Sequence, residues 1–177
     1  MAAVLVQESV SSPVANVPMR QVWKPSVTVA AVIEHDGRFL LVEEHTQEGL
    51  RLNNPAGHLE RGESPLQGVV RETLEETARA FEPVGLLGIY LSRFQRPGED
   101  VTYLRLAFHG RVGDPIPGQA LDTGIVRTLW LTANEIRASS QRHRSPLVLR
   151  CVEDHLAGRH FPLDAVYTHP DVQALQD

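Results

Sequence analysis

The segment from Gly57 to Ala80, GHLERGESPLQGVVRETLEETARA, constrains the fold more than any other part of the chain. Ser64 and Gln67 can form an S-x-x-Q capping box around Pro65, which suits the first position of a helix. Beyond this start, side chains that can pack in a core recur at i, i+3, i+4 and i+7, as on one face of an amphipathic helix. The members of this stripe are Leu66, Val69, Val70, Thr73, Leu74 and Thr77. The segment therefore predicts a capped helix with one buried face.

Three glutamates of this helix share the opposite face. With about 100° per residue and Leu66 at zero, Glu72, Glu75 and Glu76 fall at roughly 240°, 180° and 280°, away from the stripe. Like charges one turn apart destabilise an isolated helix, whereas oxygen ligands in a cluster suit a hard cation such as Mg²⁺. From the residues alone, two interpretations are open. The glutamates form either a metal site or a solvated charged face in which Arg71 pairs with Glu75.

Strand signals precede the helix. The runs VTVAAVI (27–33) and RFLLVEE (38–44) flank His35-Asp36-Gly37. Asp-Gly between two such runs predicts a hairpin, because the tight turn needs positive φ angles. Residues 50–57, LRLNNPAG, show no period and are interpreted as an irregular connection to the helix.

Further strands follow the helix. Runs typical of strands occupy 84–94, 101–110 and 125–131, and a turn at 95–100 joins the first two. Strands thus dominate, with two or three helices inserted between them. This order predicts an α/β protein in which helices cover a mixed β-sheet.

Two later helices have recognisable ends. Thr132 and Glu135 form a second capping box, and Ser145-Pro146 begins a last helix that Gly158 can end. The single cysteine, Cys151, lies at helical spacing among apolar residues of that last helix. We expect it to be a small buried residue and not a nucleophile.

Length and charge describe one acidic domain. The 177 residues carry a formal net charge of −5 at pH 7, which argues against a stable nucleic-acid partner. Residues 1–22 show no sustained periodicity, and we expect a flexible extension there and one domain over 23–177. No apolar run is long enough to span a membrane, and the first residues lack the basic start of a secretory signal. The expected location is cytoplasmic.

The spacing within the constraining segment is specific. It resembles the Nudix box, G-x5-E-x7-R-E-U-x-E-E-x-G-U. Five residues separate Gly57 from Glu63, seven separate Glu63 from Arg71-Glu72, and two more lead to Glu75-Glu76. The last glycine of the box is replaced by Ala78, which either prolongs the helix or adopts positive φ at a cost of about 1 kcal/mol. The closing apolar position is Arg79. Over roughly residues 23–165, the sequence resembles the NudJ-type phosphatase branch of the Nudix hydrolases.

This resemblance implies a fold and a metal site. The fold is a Nudix-type α/β/α sandwich with a mixed sheet. Nudix hydrolases cleave X–O–P–O–P linkages by water attack with Mg²⁺ or Mn²⁺. By position in the box, the metal ligands are the Gly57 carbonyl oxygen and the carboxylates of Glu72, Glu75 and Glu76. Arg71 matches the arginine that orients a box glutamate.

The resemblance also implies catalytic roles. Glu63 matches a box position of structural importance. Glu72, Arg71 and Glu75 are expected to take part in catalysis, with Glu72 as the general base and Glu76 as the strongest metal ligand. Many family members use a further acid outside the box, for which Asp122 is the first candidate here and Glu99 the alternative.

Substrate residues are sought on the strand 101–110. Tyr103 and Arg105 alternate on one face and could present a ring and a guanidinium together, although an outward-facing arginine explains the pattern equally well. The basic stretch from Arg142 to Arg150 guides a polyanion or forms a solvated surface. His58 is interpreted as a turn residue or a donor behind the metal ligands. Trp23 and Trp130 are expected in the core.

The implied substrates are small phosphoanhydrides. NudJ-like enzymes act on nucleoside di- and triphosphates and on thiamine-related diphosphates, and release orthophosphate. A nucleotide-sugar or RNA-end pyrophosphohydrolase is an alternative, and a non-catalytic Nudix module that binds a diphosphate is another. The intact box glutamates disfavour the non-catalytic module, and the net charge disfavours RNA. A monomer and a homodimer are both open.

Overall fold

The computed structural model of the protein describes residues 22–173, so the predicted extension over 1–22 lies almost wholly outside the described residues. The strands are β1 (Ser26–His35), β2 (Arg38–Thr46), β3 (Gly49–Asn53), β4 (Ala56–His58), β5 (Phe81–Arg96), β6 (Glu99–Val112) and β7 (Ile125–Thr132). The helices are α1 (Pro65–Thr77), α2 (Ala133–Ala138), α3 (Leu147–Leu156) and α4 (Pro170–Gln173), and Ser140–Arg142 and Leu163–Ala165 are 3₁₀ turns.

The predicted hairpin joins β1 to β2. Its two turn residues, Asp36 and Gly37, have φ angles of 49° and 73°. Two successive positive φ angles match the right-handed twist of the flanking strands, as in type I′ turns. The Asp-Gly signal is confirmed.

The sheet mixes parallel and antiparallel pairing around β1. This strand runs parallel to β6, from Ser26 opposite Tyr103 to Ile33 opposite Gly110, and antiparallel to the short β4. β5 pairs antiparallel with β6, while β2 carries β3 and β7 on its two edges. The seven strands of the described region thus form the mixed sheet that the element order predicts.

Helices cover both faces of this sheet. On one face, α1 packs Val69 against a cluster that contains Val29, Ala31 and Phe108. On the other face, α2 and α3 pack against the alternate side chains of the same strands, and this second cluster contains Ala30, Val32, Phe39, Ile136, Val148 and Cys151. The α/β/α architecture is confirmed, as is the burial of the single cysteine.

Three features differ from the sequence-based expectations. Residues 50–57 are not irregular, because β3 and β4 form there by pairing with distant strands. β5 and β6 extend into the predicted turn at 95–100, so that only Pro97-Gly98 lie between the two strands. Trp23 is 68% exposed and does not belong to the core, whereas Trp130 is partly buried against the α1 face of the sheet.

No helix of residues 22–173 is long and apolar enough to cross a membrane.

Both ends of α1 follow from their residues. Ser64 accepts from the Gln67 N–H while the Gln67 side chain accepts from the Ser64 N–H, so the capping box is present. At the other end, Ala78 is left-handed, with φ 54° and ψ 30°, and its N–H donates to the Leu74 carbonyl. Ala78 therefore ends the helix and does not prolong it.

Candidate active site

The short strand β4 lies against the glutamate-bearing face of α1. The Ala56 N–H donates to Glu76 Oε2 at 2.8 Å. The next residue, Gly57, leaves the space that the Glu72 carboxyl group occupies, since a Cβ at Gly57 would overlap that group. The backbone of β4 and the carboxylates of α1 are thus in direct contact.

This contact changes the environment of the glutamates. Glu76 is only 8% exposed, Glu72 is largely buried, and Glu75 has 42% of its side chain exposed. The expectation that all three glutamates face away from the core is therefore wrong for Glu76. The helical period gives the angular position of a residue, but a strand of three residues that covers it leaves no periodic signal.

Arg71 links the residues of the box. Its guanidinium pairs with both oxygens of Glu63, through Nε at 3.1 Å and Nη2 at 2.8 Å. Nη1 donates to Glu72 Oε1 at 2.8 Å and to Glu75 Oε2 at 3.0 Å, and Nη2 also donates to the His58 carbonyl at 3.0 Å. One planar cation thus positions two glutamates of α1 and ties them to the loop.

The same ion pairs act on the pKa values. Burial acts to raise the pKa of Glu63, but hydrogen bonds from Arg71 and from the Glu60 N–H outweigh it and hold that pKa below its usual value. The pKa of Arg71 is raised, mainly by its hydrogen bonds to Glu63. Arg71 and Glu63 therefore stabilise each other's ionised forms.

The buried glutamates show the opposite shift. Burial raises the pKa of Glu72 even though Arg71 opposes it. Burial, with the nearby charges of Glu44, Glu72 and Asp122, raises the pKa of Glu76 to about 8, despite the hydrogen bond from Ala56. The site therefore holds more carboxylate than its own cations compensate.

Glu44 is a member of this cluster that the sequence analysis missed. It lies near the end of β2, its Oε1 atom is buried, and this oxygen has no hydrogen-bond partner among the described residues. It pairs loosely with Arg144, at 3.8 Å. An acidic residue directly after the buried run of β2 was the available signal. Such an oxygen, close enough to Glu76 for its charge to raise the pKa of that residue, suits a hard divalent cation, which takes oxygen ligands.

A cleft of about 770 Å³ opens next to the cluster. Gly57 and Glu44 contribute to one side, and Tyr103 and Arg105 line it together, as the strand alternation allowed. Further lining residues include Thr28, Arg51, Asn53, His58, Arg93, Phe94, Arg96 and Arg144. The three glutamates of α1 are outside this lining and adjoin it through Ala56 and Gly57.

Arg105 is unusual within the cleft. It is 8% exposed, and its Nε and Nη1 atoms have no hydrogen-bond partner among the described residues. Burial lowers its pKa from the ordinary value of arginine. The outward-facing interpretation of Arg105 is thus wrong. A buried guanidinium with unsatisfied N–H donors is costly, so the cleft suits an anionic ligand.

The remaining candidates have different surroundings. The Asp122 N–H donates to the Glu75 carbonyl at the last turn of α1, which brings this loop acid close enough to act on Glu76. Its carboxylate is exposed and accepts from the Thr123 N–H. Glu99 lines the cleft but pairs with Arg96. Asp122 is therefore the better placed of the two acids.

The basic stretch is engaged in ion pairs. Arg142 pairs with Glu43, and Arg150 pairs with Asp154 at 2.8 Å. Of its arginines, Arg144 alone contributes to the cleft lining. His58 ends β4 and is not a turn residue, and its backbone carbonyl accepts from Arg71.

Comparisons with known proteins agree with this geometry. The family model of the NUDIX domain matches residues 22–151. The chain is 34% identical over 145 residues to the phosphatase NudJ of Escherichia coli strain K12, which covers 81% of this chain and 92% of that protein. The phosphatase NudJ of Shigella flexneri matches to the same extent.

Solved structures share the fold. A Nudix hydrolase from Nitrosomonas europaea is 49% identical, with a TM-score of 0.78 over 83% of this chain and 99% of that one. A UDP-X diphosphatase, 19% identical, has the same fold with a TM-score of 0.64 over 82% of this chain and 70% of that one. The family model, the curated relatives and the box residues assembled on α1 lead to one conclusion: this chain belongs to the Nudix hydrolases.

Proposed function

We propose that the protein hydrolyses phosphoanhydride bonds of small nucleoside di- and triphosphates or of thiamine-related diphosphates, with Mg²⁺ or Mn²⁺ as cofactor. The observation that carries this proposal is the contact between the carboxylate cluster and a cleft that contains an unpaired buried arginine. The similarity to the phosphatase NudJ supports orthophosphate as the product. The acidic net charge supports a small substrate over a nucleic acid.

The proposed metal ligands are Glu72, Glu75, Glu76 and the Gly57 carbonyl, with Glu44 completing the set. A divalent cation supplies charge neutralisation for the phosphate oxygens and lowers the pKa of a bound water. Glu76 and Glu72 are buried, so their negative charges are poorly solvated and available to a cation. The cost of clustering these acids in the metal-free protein is what a cation would relieve.

Proton transfer is assigned to Glu72. Its carboxylate is held by Arg71 Nη1 at 2.8 Å, and burial raises its pKa, which makes it a better proton acceptor than an exposed glutamate. Arg71 is a positioning residue here, because it fixes Glu72 and Glu75 without entering the cleft lining. Asp122 is a second acid close to Glu76 and could assist at the same end of α1.

Arg105 and Tyr103 are proposed to bind the substrate. The free N–H groups of Arg105 can donate to a phosphate, and Tyr103 offers a ring beside it. Because Nudix chemistry needs little covalent assistance from protein, positioning of the phosphates accounts for much of the rate. Arg105→Lys should therefore raise KM about tenfold or more, since it removes the fork of donors. The control is Arg38→Lys, because Arg38 forms an exposed ion pair with Glu135 outside the cleft.

The test is a substrate panel with Mg²⁺ in which orthophosphate and pyrophosphate are measured separately. The panel contains nucleoside di- and triphosphates, hydroxymethylpyrimidine and thiamine diphosphates and ADP-ribose. We expect orthophosphate release, and loss of turnover in Glu76→Gln. A folded, Mg²⁺-binding protein that turns over no substrate would leave only a diphosphate-binding module. Pyrophosphate as sole product would instead favour a pyrophosphohydrolase.

A further inference from the structure

Three histidines converge on the α3 side of the sheet, away from the carboxylate cluster. His109 lies on β6, His155 on the last turns of α3, and His160 on the segment that follows α3. One ring nitrogen of each lies within 4.8 Å of one from each of the others. At roughly 3.3 Å per residue, His109 is about 13 Å along β6 from Arg105, so this cluster is separate from the cleft.

The rings are held by different parts of the fold. Gly85 is opposite His109 on β5, and a Cβ at Gly85 would lie 2.5 Å from His109 Nε2, so the missing side chain makes room for the ring. The segment bearing His160 is fixed by two hydrogen bonds between Leu86 and Phe161, at 2.8 and 2.9 Å. The convergence therefore does not depend on one loose loop.

Glu34 determines which nitrogen of His155 is available. The Glu34 carboxylate lies 3.0 Å from His155 Nε2, and an ionised carboxylate can only accept, so Nε2 carries the hydrogen. The Nδ1 atom of a neutral His155 ring is then an acceptor. It faces His160 Nε2 at 3.3 Å. This is the carboxylate–histidine arrangement that orients histidine ligands in metal sites.

We propose that His109, His155 and His160 bind a divalent transition-metal ion, with Zn²⁺ as the best match. Two nitrogens bound to one zinc at 2.0–2.1 Å with tetrahedral angles lie about 3.3 Å apart. The His155–His160 separation has this value already. The His160 ring stacks on that of His109 with centroids 3.9 Å apart, so binding requires the exposed His160 side chain to rotate until its nitrogen points at the same ion, and solvent can take the fourth position.

The electrostatics of the cluster agree with a metal that needs neutral imidazoles. Burial and the two neighbouring histidines lower the pKa of His109 to about 4. Burial, with His155, also lowers the pKa of His160. Both rings therefore keep a lone pair at neutral pH. Nitrogen ligands distinguish this site from the all-oxygen cluster on α1, because imidazole suits zinc and carboxylates suit magnesium.

The two sites can be separated by experiment. Zn²⁺ is titrated into metal-free full-length protein by calorimetry, in excess Mg²⁺ and in a Glu76→Gln background, so that the carboxylate cluster does not compete. We expect one zinc per chain. His160→Gln and His155→Gln should each weaken it at least about tenfold, and Glu34→Gln should weaken it by about ten- to a hundredfold through loss of ring orientation. His169→Gln changes an exposed histidine outside the cluster and is the matched control.

Two further measurements guard against misfolding. At about a hundredfold excess of Zn²⁺ over Kd, the Tm of the Glu76→Gln protein should rise by about 5 to 10 °C, and at the same zinc concentration the rise should fall to about 3 to 6 °C or less when His160→Gln is added. His160→Gln in the otherwise unchanged protein should keep Mg²⁺-dependent hydrolysis. Unchanged zinc affinity in both His155→Gln and His160→Gln would overturn the proposal, and so would the same Tm rise in every variant.

Discussion

Replacing Glu76 by glutamine should stabilise the metal-free protein, by an amount that grows with pH. Glu76 is buried and accepts from the Ala56 N–H, and its pKa is about 8 in the folded protein against an ordinary value of 4.5. The folded state thus binds the Glu76 proton more tightly than the unfolded chain does. Stability due to this group is complete below about pH 4.5 and is lost as pH rises towards about pH 8. Glutamine keeps the volume and the acceptor but removes the ionisation.

Proton linkage gives the magnitude. With these two pKa values, Glu76 costs the folded state about 1 kcal/mol at about pH 5, about 3 kcal/mol at about pH 7 and about 5 kcal/mol at about pH 9. In a chain of this size, 1 kcal/mol moves Tm by about 2–4 °C. The Tm of Glu76→Gln should therefore exceed that of the unchanged protein by about 2–4 °C at about pH 5 and by about 6–12 °C at about pH 7.

The assay is thermal unfolding in EDTA across this pH range. Glu75→Gln is the matched control on the same helix, because its side chain is 42% exposed and carries a much smaller desolvation cost. Adding saturating Mg²⁺ should reverse the order, since the cation binds the ionised cluster of the unchanged protein. A Tm difference that stays constant from about pH 5 to pH 9, or a less stable Glu76→Gln protein throughout, would refute the reasoning.

Three smaller changes test other parts of the structure. Ala78→Gly should raise the free energy of unfolding by about 0.5–1 kcal/mol, measured by denaturant titration, because Ala78 has φ 54° and glycine adopts this angle without strain. Ser64→Ala should lower it by about 1 kcal/mol, seen as a Tm loss of about 2–4 °C, since the Gln67 N–H loses its acceptor. Arg71→Lys should reduce kcat by about ten- to a hundredfold with a smaller change in KM, because one ammonium cannot pair with Glu63, Glu72 and Glu75 together. An unchanged kcat in steady-state assays would remove Arg71 from its positioning role.

Local signals predicted the elements that depend on local interactions. The capping box of α1 and the Asp36-Gly37 turn are determined by contacts within a few residues, and both are present as predicted. The left-handed Ala78 was one of two open alternatives, because the loop that closes the helix end comes from about forty residues downstream, where the Ile116 N–H donates to the Ala78 carbonyl.

Long-range pairing produced what the sequence did not reveal. β4 exists because Ala56 to His58 pair with β1, and this strand buries Glu76. Glu44 joins the cluster because β2 brings it there, without a spacing that links it to α1. The burial of Arg105 likewise depends on which face of β6 the helix α3 covers. Strand alternation shows only that Tyr103 and Arg105 lie on the same face of β6. The expected roles of these residues in binding and catalysis remain predictions.

Gly57 and Ala78 mark two different demands that a glycine can meet. At Gly57 the demand is for volume, because the Glu72 carboxyl group fills the place of a side chain. At Ala78 the demand is for a backbone angle, which alanine meets at a modest energetic cost. The first position therefore tolerates no larger residue without displacing a carboxylate, whereas the second can vary while α1 still ends at the same residue. A sequence pattern that weighted both glycines equally would miss chains of this kind.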